Sequence, residues 1–392
     1  MHKKTAIWGA GRNGITFLER CNAEIVFFID SNREKTGTEI DDIPIVHPDD
    51  IEDYSKLFIV VAVADSKQIV ESLEAKGLIW REDYIRDFEW VAGSVATETA
   101  VEALKYACFE EKLSAGEVLE VYHTKEEYFA VREQHSDFLR FERSLDKLFR
   151  EMPGHYGVYR GYCSCCESQS DFVIDYPFGL HPGFRETCRC VKCGCNSRMR
   201  FMVDFVKKEY PKRDISIYMN EYITPTYREM KKFFPGLIGS EFLGNDHVAG
   251  EIVSGIRHED ATKLSFADEQ FDAVVSNDVY EHVGDFMKAF EEVVRCLKKG
   301  RKFIFSVPIY SLREETVRRA EIDAKGSYIE YLPKEYHGNP LSTDGSLVFT
   351  EFSYDIIHFL EEAGFSEVHF VSYGSVECAH FGLMPMIIVA TK

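Results

Sequence analysis

Seven of the eleven cysteines lie between Cys163 and Cys195, and this crowding limits what the middle of the chain can become. Cys163-x2-Cys166 and Cys190-x2-Cys193 are separated by 23 residues. Each CxxC forms a tight turn whose thiolates converge, and two such turns supply four sulfurs for tetrahedral zinc. A disulfide framework would spread its half-cystines over a small domain, yet Cys21, Cys108, Cys296 and Cys378 are scattered singly. The spacing predicts a structural Zn2+ on Cys163, Cys166, Cys190 and Cys193. Cys165, Cys188 and Cys195 are surplus, so the ligand set keeps some slack; a redox dithiol or an iron–sulfur site is the alternative. Four thiolates close the coordination sphere, so no catalysis is expected there. Arg198 and Arg200, just beyond, read as a solvated face.

With 392 residues, the chain is long enough for two or three domains. Apolar residues make up 45%, which excludes global disorder. Lys plus Arg total 46 against 66 Asp plus Glu, a formal charge of -20 that repels phosphate backbones, so no nucleic acid is expected as partner. No apolar run approaches the roughly 20 residues needed to span a bilayer. The N-terminus runs into a strand without an apolar signal region, so the expected location is cytoplasmic. Oligomeric state is not legible.

Strands alternate with helices at both ends of the chain, the pattern of parallel sheets. The expected fold class is α/β: two Rossmann-like doubly wound parallel sheets joined by a helical connector and a small zinc ribbon. The boundaries read as 1–92 for a Rossmann-like nucleotide-binding-type domain and 93–157 for the connector, which shows helical periodicity and no strand signal. The ribbon then takes 158–198 and the second α/β domain 199–392.

Gly9, Gly11 and Gly14 form GxGxxG between a strand and a helix, and Asp30 ends the second strand. Glycines let backbone approach a pyrophosphate at a helix N-terminus, and the acid can bond a ribose diol. A dinucleotide such as NAD and a nucleotide sugar both fit; a non-binding Rossmann-like scaffold is the plain alternative. WGAGRNG followed by FFIDSNREKTGTEIDDIPIVHPDDI resembles the small Rossmann-like domain found beside sugar-modifying acyltransferases and methyltransferases of surface-polysaccharide pathways, including the FkbM type.

FDAVVSNDVYEHV at 271–283, followed by FEEVVRCLKKGRKFIFSVP, resembles class I S-adenosylmethionine (SAM)-dependent methyltransferases of the broad type 11 group. The resemblance covers about 185 residues. It implies a cofactor at the carboxyl edge of a parallel sheet, where open α/β folds place ligands. The first strand of such domains usually ends in a glycine-rich loop, but here it reads IYMNEYITPTY. Glu221, Tyr222 and Thr224 then meet the methionine end, with a carboxylate for the ammonium group. RETCRCVKCGCNSRMR upstream makes the chain similar to a zinc-ribbon-preceded subgroup. The resemblance further implies that Glu241 bonds the ribose, Asp260 meets the adenine amino group, and Asn277 and Asp278 line the floor.

Asp278, Glu281 and His282 form an acid-x-x-Glu-His cluster suited to a divalent ion or a general base. His337, in an irregular loop, is a candidate for substrate contact. The expected activity is methyl transfer (EC 2.1.1.-) to a small-molecule or sugar-type acceptor, with a nucleotide sugar or a precursor in polysaccharide biosynthesis as candidates. His282 or His337 would assist deprotonation. Two other readings stand beside it: an inactive nucleotide-binding scaffold or regulator, and an NAD-dependent oxidoreductase centred on Gly9–Gly14.

Overall fold

The computed structural model describes all residues except 1–2, 19–23, 64–65, 80–82, 87–100, 102, 106, 110–116, 152–155, 176–182, 323–327 and 340–341. The chain divides into two compact units, one of Met1–Ala100 with Leu148–Val158, the other of Val101–Lys147 with Tyr159–Lys392.

The first unit is a six-stranded sheet. Its order is Glu39–Ile40, Ile43–Val46, Ile25–Ile29, Lys4–Trp8, Leu57–Val61, Tyr84–Arg86. All neighbours are parallel except the short outermost pair. Alternate residues of each strand serve opposite faces: Ala6, Ile59 and Val61 pack with Leu73, and Ile7, Phe28 and Val60 with Phe17. Both faces are covered, so the central segments Ala6–Trp8, Ile25–Ile29 and Leu57–Val61 are apolar.

The glycine-rich turn is close-packed. Gly9 has φ 120°, and a Cβ on Gly14 would lie 1.8 Å from the Gly9 carbonyl oxygen. Gly11 faces open space.

The second unit holds a seven-stranded sheet ordered Ile238–Gly239, Ile217–Met219, Phe271–Asn277, Leu297–Ser306, Met386–Thr391, Glu367–Ser375, Glu117–Tyr122. The first four are parallel; the last three run alternately antiparallel. On one face Val274, Phe303 and Phe305 meet the helices Phe286–Cys296 and Ile356–Ala363. On the other, Val275 and Ile304 meet Ser197–Glu209 and Pro225–Phe233.

The edge strand Glu117–Tyr122 corrects the reading of 93–157 as helical throughout. Its pairing with Glu367–Ser375 runs from Phe370↔Tyr122 to Ser375↔Glu117. Val118 and Tyr122 point into the core while Leu119 and Val121 stay exposed. Six residues of period-two pattern are too few to stand out beside long helical stretches, and the partner strand that selects the extended form lies some 250 positions away. Flanking helices are present at Lys125–Gln134 and Ser136–Glu151, the former opened by a Thr124/Glu127 capping box. The predicted helix ahead of the strand lies partly outside the described residues.

Between these elements the cysteine segment forms a three-stranded sheet ordered Arg189–Cys190, Ser168–Asp175, Tyr156–Cys163. Every described cysteine is a free thiol.

All three tryptophans, Trp8, Trp80 and Trp90, fall at or before residue 100, so their fluorescence reports the first unit. Gly14→Ala drives a methyl into backbone and is expected to destabilise that unit by about 1–3 kcal/mol in denaturant titrations. Gly11→Ala, with open space, should stay within about 0.5 kcal/mol of wild type. Equal midpoints for the two variants would contradict the packing described.

Candidate functional site

The carboxyl edge of the second sheet collects the polar residues expected from sequence. The strand Ile217–Met219 runs into the loop 220–224, where Thr224 caps the helix Pro225–Phe233 by accepting from the Tyr227 backbone N–H at 3.2 Å. Thr224 therefore serves the helix N-terminus and also stands beside Glu221. Glu241, two residues past the strand Ile238–Gly239, accepts from the backbone N–H groups of Tyr222 at 2.8 Å and Ile223 at 3.0 Å. It thereby fixes the glycine-free loop in place. The Tyr222 ring packs on Tyr227, centroids 4.8 Å apart. Asp260 bonds its own turn, accepting from Thr262 N–H at 2.8 Å and its hydroxyl at 2.7 Å. A backbone bridge pairs Glu241 with His258, bringing 258–260 beside the strand end.

Asn277 ends the central strand. Its Nδ2 donates to Glu221 Oε1 at 2.8 Å. Both side chains are buried, and Asn277 Oδ1 has no hydrogen-bond partner. Burial pushes the Glu221 carboxyl up to about 7. A buried carboxylate beside an orphaned amide oxygen is an acceptor pair suited to an ammonium ion.

Asp278 does something else. It sits at φ 49°, a left-handed turn uncommon outside glycine, Asn and Asp. Arg185 grips it with two hydrogen bonds at 2.8 and 2.9 Å, Arg198 stands 3.2 Å away, and Ser306 Oγ donates at 2.8 Å. Burial alone would raise the Asp278 pKa, but the two guanidiniums hold it well below the carboxylate range. Glu186 completes a cluster of two cations and two anions. Asp278 thus stands apart from Glu281 and His282, with which the sequence had grouped it.

Arg198 and Arg200 are corrected as well. Neither forms a solvated face: the Arg198 side chain is 11% exposed, and Arg200 is fully buried. Arg200 donates to the carbonyls of Cys188 (2.7 Å), Cys195 (3.0 Å) and Ala379. Global charge misled here, because a local set of carbonyls and acids outweighs the mean field of the surface. Arg185 was missed altogether; only its place in a helical turn just before Cys188 links it to the cysteine segment.

The acid-His cluster assembles with a different third member. Glu281 is 1% exposed, and neither carboxylate oxygen has a hydrogen-bond partner. His282 Nε2 lies 3.7 Å from it and His337 Nδ1 3.8 Å. His282 Nδ1 lies 2.8 Å from the Leu347 carbonyl oxygen and donates to it, which leaves Nε2 with a free lone pair. Burial raises the Glu281 pKa while the adjacent imidazole opposes it, and Glu281 in turn raises His337. The loop carrying His337 pairs Tyr336–Asn339 with Ser342–Leu347, so an irregular stretch is held as a hairpin.

In the first unit, Asp30 accepts from Ala10 N–H at 3.1 Å and from Asn32 N–H at 2.9 Å, and pairs with Lys35 at 2.9 Å. The acid therefore braces the glycine turn and brings a cation beside Gly9–Gly14.

In the cysteine segment, Cys163, Cys166, Cys190 and Cys193 bring their sulfurs within 4.8 Å of one another. Such a soft, all-thiolate donor set fits zinc. Ser170 Oγ and the Lys192 backbone N–H lie 3.2 and 3.4 Å from Cys190 Sγ, as expected around a metal-bound thiolate.

Comparison with known proteins bears on both units. Residues 240–305 match the family described as a methyltransferase domain, and residues 1–80 match the family described as C2185-like, N-terminal. A curated relative, the demethylmenaquinone methyltransferase of Alkalihalophilus pseudofirmus, is 27% identical over 154 residues, which is 38% of this chain. The chain spans 62% of that relative's length. The solved structure of a SAM-dependent methyltransferase from Mesorhizobium loti aligns at 17% identity over 49% of this chain and 98% of its own, with a TM-score of 0.31. The Burkholderia thailandensis 1,6-didemethyltoxoflavin-N1-methyltransferase aligns at 14% identity over 50% and 77%, with a TM-score of 0.28. The motif set on the central strand and the matched residues 240–305 fall on the same sheet, so this part of the second unit is similar to a methyltransferase domain.

Proposed function

We propose that this protein transfers the methyl group of SAM to a hydroxyl of a small-molecule acceptor, with a sugar or nucleotide sugar as the leading class. The observation that carries the reading is the Glu221–Asn277 pair, a buried acceptor set with one unpartnered oxygen. It fits the ammonium of an amino-acid moiety. Glu241 would take the ribose and Asp260 the adenine amino group. SAM supplies an electrophilic methyl on a sulfonium. The protein's contribution is to align the acceptor and exclude water.

Proton removal falls to the Glu281–His282–His337 cluster. His282 is held in the tautomer that exposes Nε2 by its bond to Leu347. His337, paired with Glu281, is positioned to receive the proton or to hold the acceptor. Asp278 orders the strand end through Arg185 and Arg198 rather than meeting the cofactor.

A second acceptor class has its own support. Tyr328, Tyr331, Leu332 and Tyr336 are exposed on the segment leading to His337, which suits a flat, apolar ring compound such as the demethylmenaquinone named for the curated relative. A screen of sugar, nucleotide-sugar and quinol-type acceptors with labelled SAM separates the two. The scaffold reading is separated by calorimetry, since an inactive scaffold need not bind SAM. For the first unit we propose a nucleotide-type ligand at Gly9–Gly14, with Lys35 beside the phosphate and the nucleotide part of an acceptor as candidate; an NAD-dependent oxidoreductase has no supporting observation. For the cysteine segment we propose structural zinc on Cys163, Cys166, Cys190 and Cys193.

Three outcomes test the cofactor pose. Glu241→Ala removes charged hydrogen bonds worth roughly 1.5–3 kcal/mol each and should weaken SAM binding at least about tenfold by calorimetry. Asp268→Ala is the control: its side chain is 75% exposed and pairs with Arg295, so affinity should hold. Equal affinities for wild type and Glu241→Ala would remove the pose.

The second outcome concerns pH. A cation binds ionised Glu221, whose pKa stands at about 7 because of burial. Affinity should therefore rise as pH increases through about 7 and flatten above it. Glu221→Gln should abolish that dependence, and a parallel profile for the variant would exclude Glu221 as the ammonium partner.

The third outcome concerns the base. With a saturating hydroxyl acceptor, His282→Gln should lower kcat by about 100-fold or more. An unchanged kcat would move the base to His337.

A further inference from the structure

Six thiols converge in the cysteine segment, two more than one tetrahedral ion uses. Cys163, Cys166, Cys190 and Cys193 form one group, and Cys165, Cys193 and Cys195 form a second, each with sulfurs within 4.8 Å. Cys193 belongs to both. Thiolates around a tetrahedral zinc with bonds of about 2.3 Å stand about 3.8 Å apart. The Cys163–Cys193 and Cys166–Cys190 sulfurs are separated by 3.9 and 3.8 Å, as two opposite edges of such a tetrahedron would be.

We propose that the segment holds a binuclear zinc–thiolate cluster. Cys193, the sulfur common to both groups, bridges the two ions; Cys163, Cys166 and Cys190 complete one, and Cys165 and Cys195 hold the other. The proposal rests on the zinc reading above and adds an ion to it. Cys188, the seventh cysteine, stands aside: its sulfur lies 3.6 Å from the Ala379 carbonyl and 3.7 Å from the Arg200 guanidinium.

Charge counting favours the second ion. One Zn2+ with four thiolates carries a net charge of minus two, and two Zn2+ with six thiolates carry the same. The second ion thus engages two further thiols, releasing their protons, without adding net charge to a buried site. Cys195 is fully buried, with its sulfur within 4.8 Å of those of Cys165 and Cys193. The buried Arg200 guanidinium, bonded to the Cys188 and Cys195 carbonyls, offsets the anionic cluster from one side. Arg228, bonded to the Cys193 carbonyl at 3.3 Å, adds a second cation.

The test is metal stoichiometry of the full chain, expressed with zinc and purified without chelator, by elemental analysis and native mass spectrometry. Two zinc ions per chain are expected, falling to one in Cys165→Ser and in Cys195→Ser. One ion in the wild type would overturn the cluster while leaving the single-zinc reading intact. No ion would overturn both. Two ions persisting in both variants would overturn it too, because the second ion would then sit elsewhere. Should the variants fail to fold, the wild type loaded with cadmium-113 decides: two resonances coupled through bridging sulfur are expected, and a single resonance would refute the proposal.

Discussion

The ion cluster around Asp278 is the constraint on which the second unit depends. Two guanidiniums, two carboxylates and a serine hydroxyl meet where the central strand ends. Removing one member of such a buried set leaves an uncompensated charge, which costs far more than the intact network contributes. Because Arg185 and Arg198 come from either side of the second CxxC, the cysteine segment and the cofactor edge are one mechanical object. A metal that orders the thiols also orders the arginines, and the arginines hold the turn that follows Asn277.

The same logic explains how the site manages without a glycine-rich loop. Bare backbone normally lets a cofactor approach closely. Here Glu241 captures two backbone N–H groups of the loop, and Glu221 is tied to Asn277 across neighbouring strands. The loop is shaped by side chains, and the price is a carboxyl held in a dry pocket with its pKa near neutrality. That arrangement favours a cationic group at the site over an anionic one.

Reading the residues in order located much of this. Gly9, Asp30, Glu221, Glu241 and Asn277 all fall at strand ends or in the turns beside them, because strand periodicity and the punctuation after each strand are local signals. Asp278, Glu281 and His282 were legible as a cluster but not in their true grouping. A single left-handed residue at 278 turns Asp278 toward the arginines, and His337, 59 positions on, takes its place beside Glu281. Local spacing cannot announce a backbone sign change or a partner brought in by a distant hairpin.

What the sequence by itself determined is therefore the α/β class, the paired CxxC turns and the positions of Glu221 and Glu241 beside strand ends. Each is written in a period or a spacing of a few residues. Tertiary structure decided the rest: that Glu117–Tyr122 is a strand, that Arg200 is buried while Arg185 and Arg198 close on Asp278, and that Cys193 stands within reach of other thiols of both cysteine groups. These outcomes depend on which distant groups become neighbours once water is excluded. A charged side chain is solvated or buried according to the partners it meets there, and those partners lie tens to hundreds of residues away.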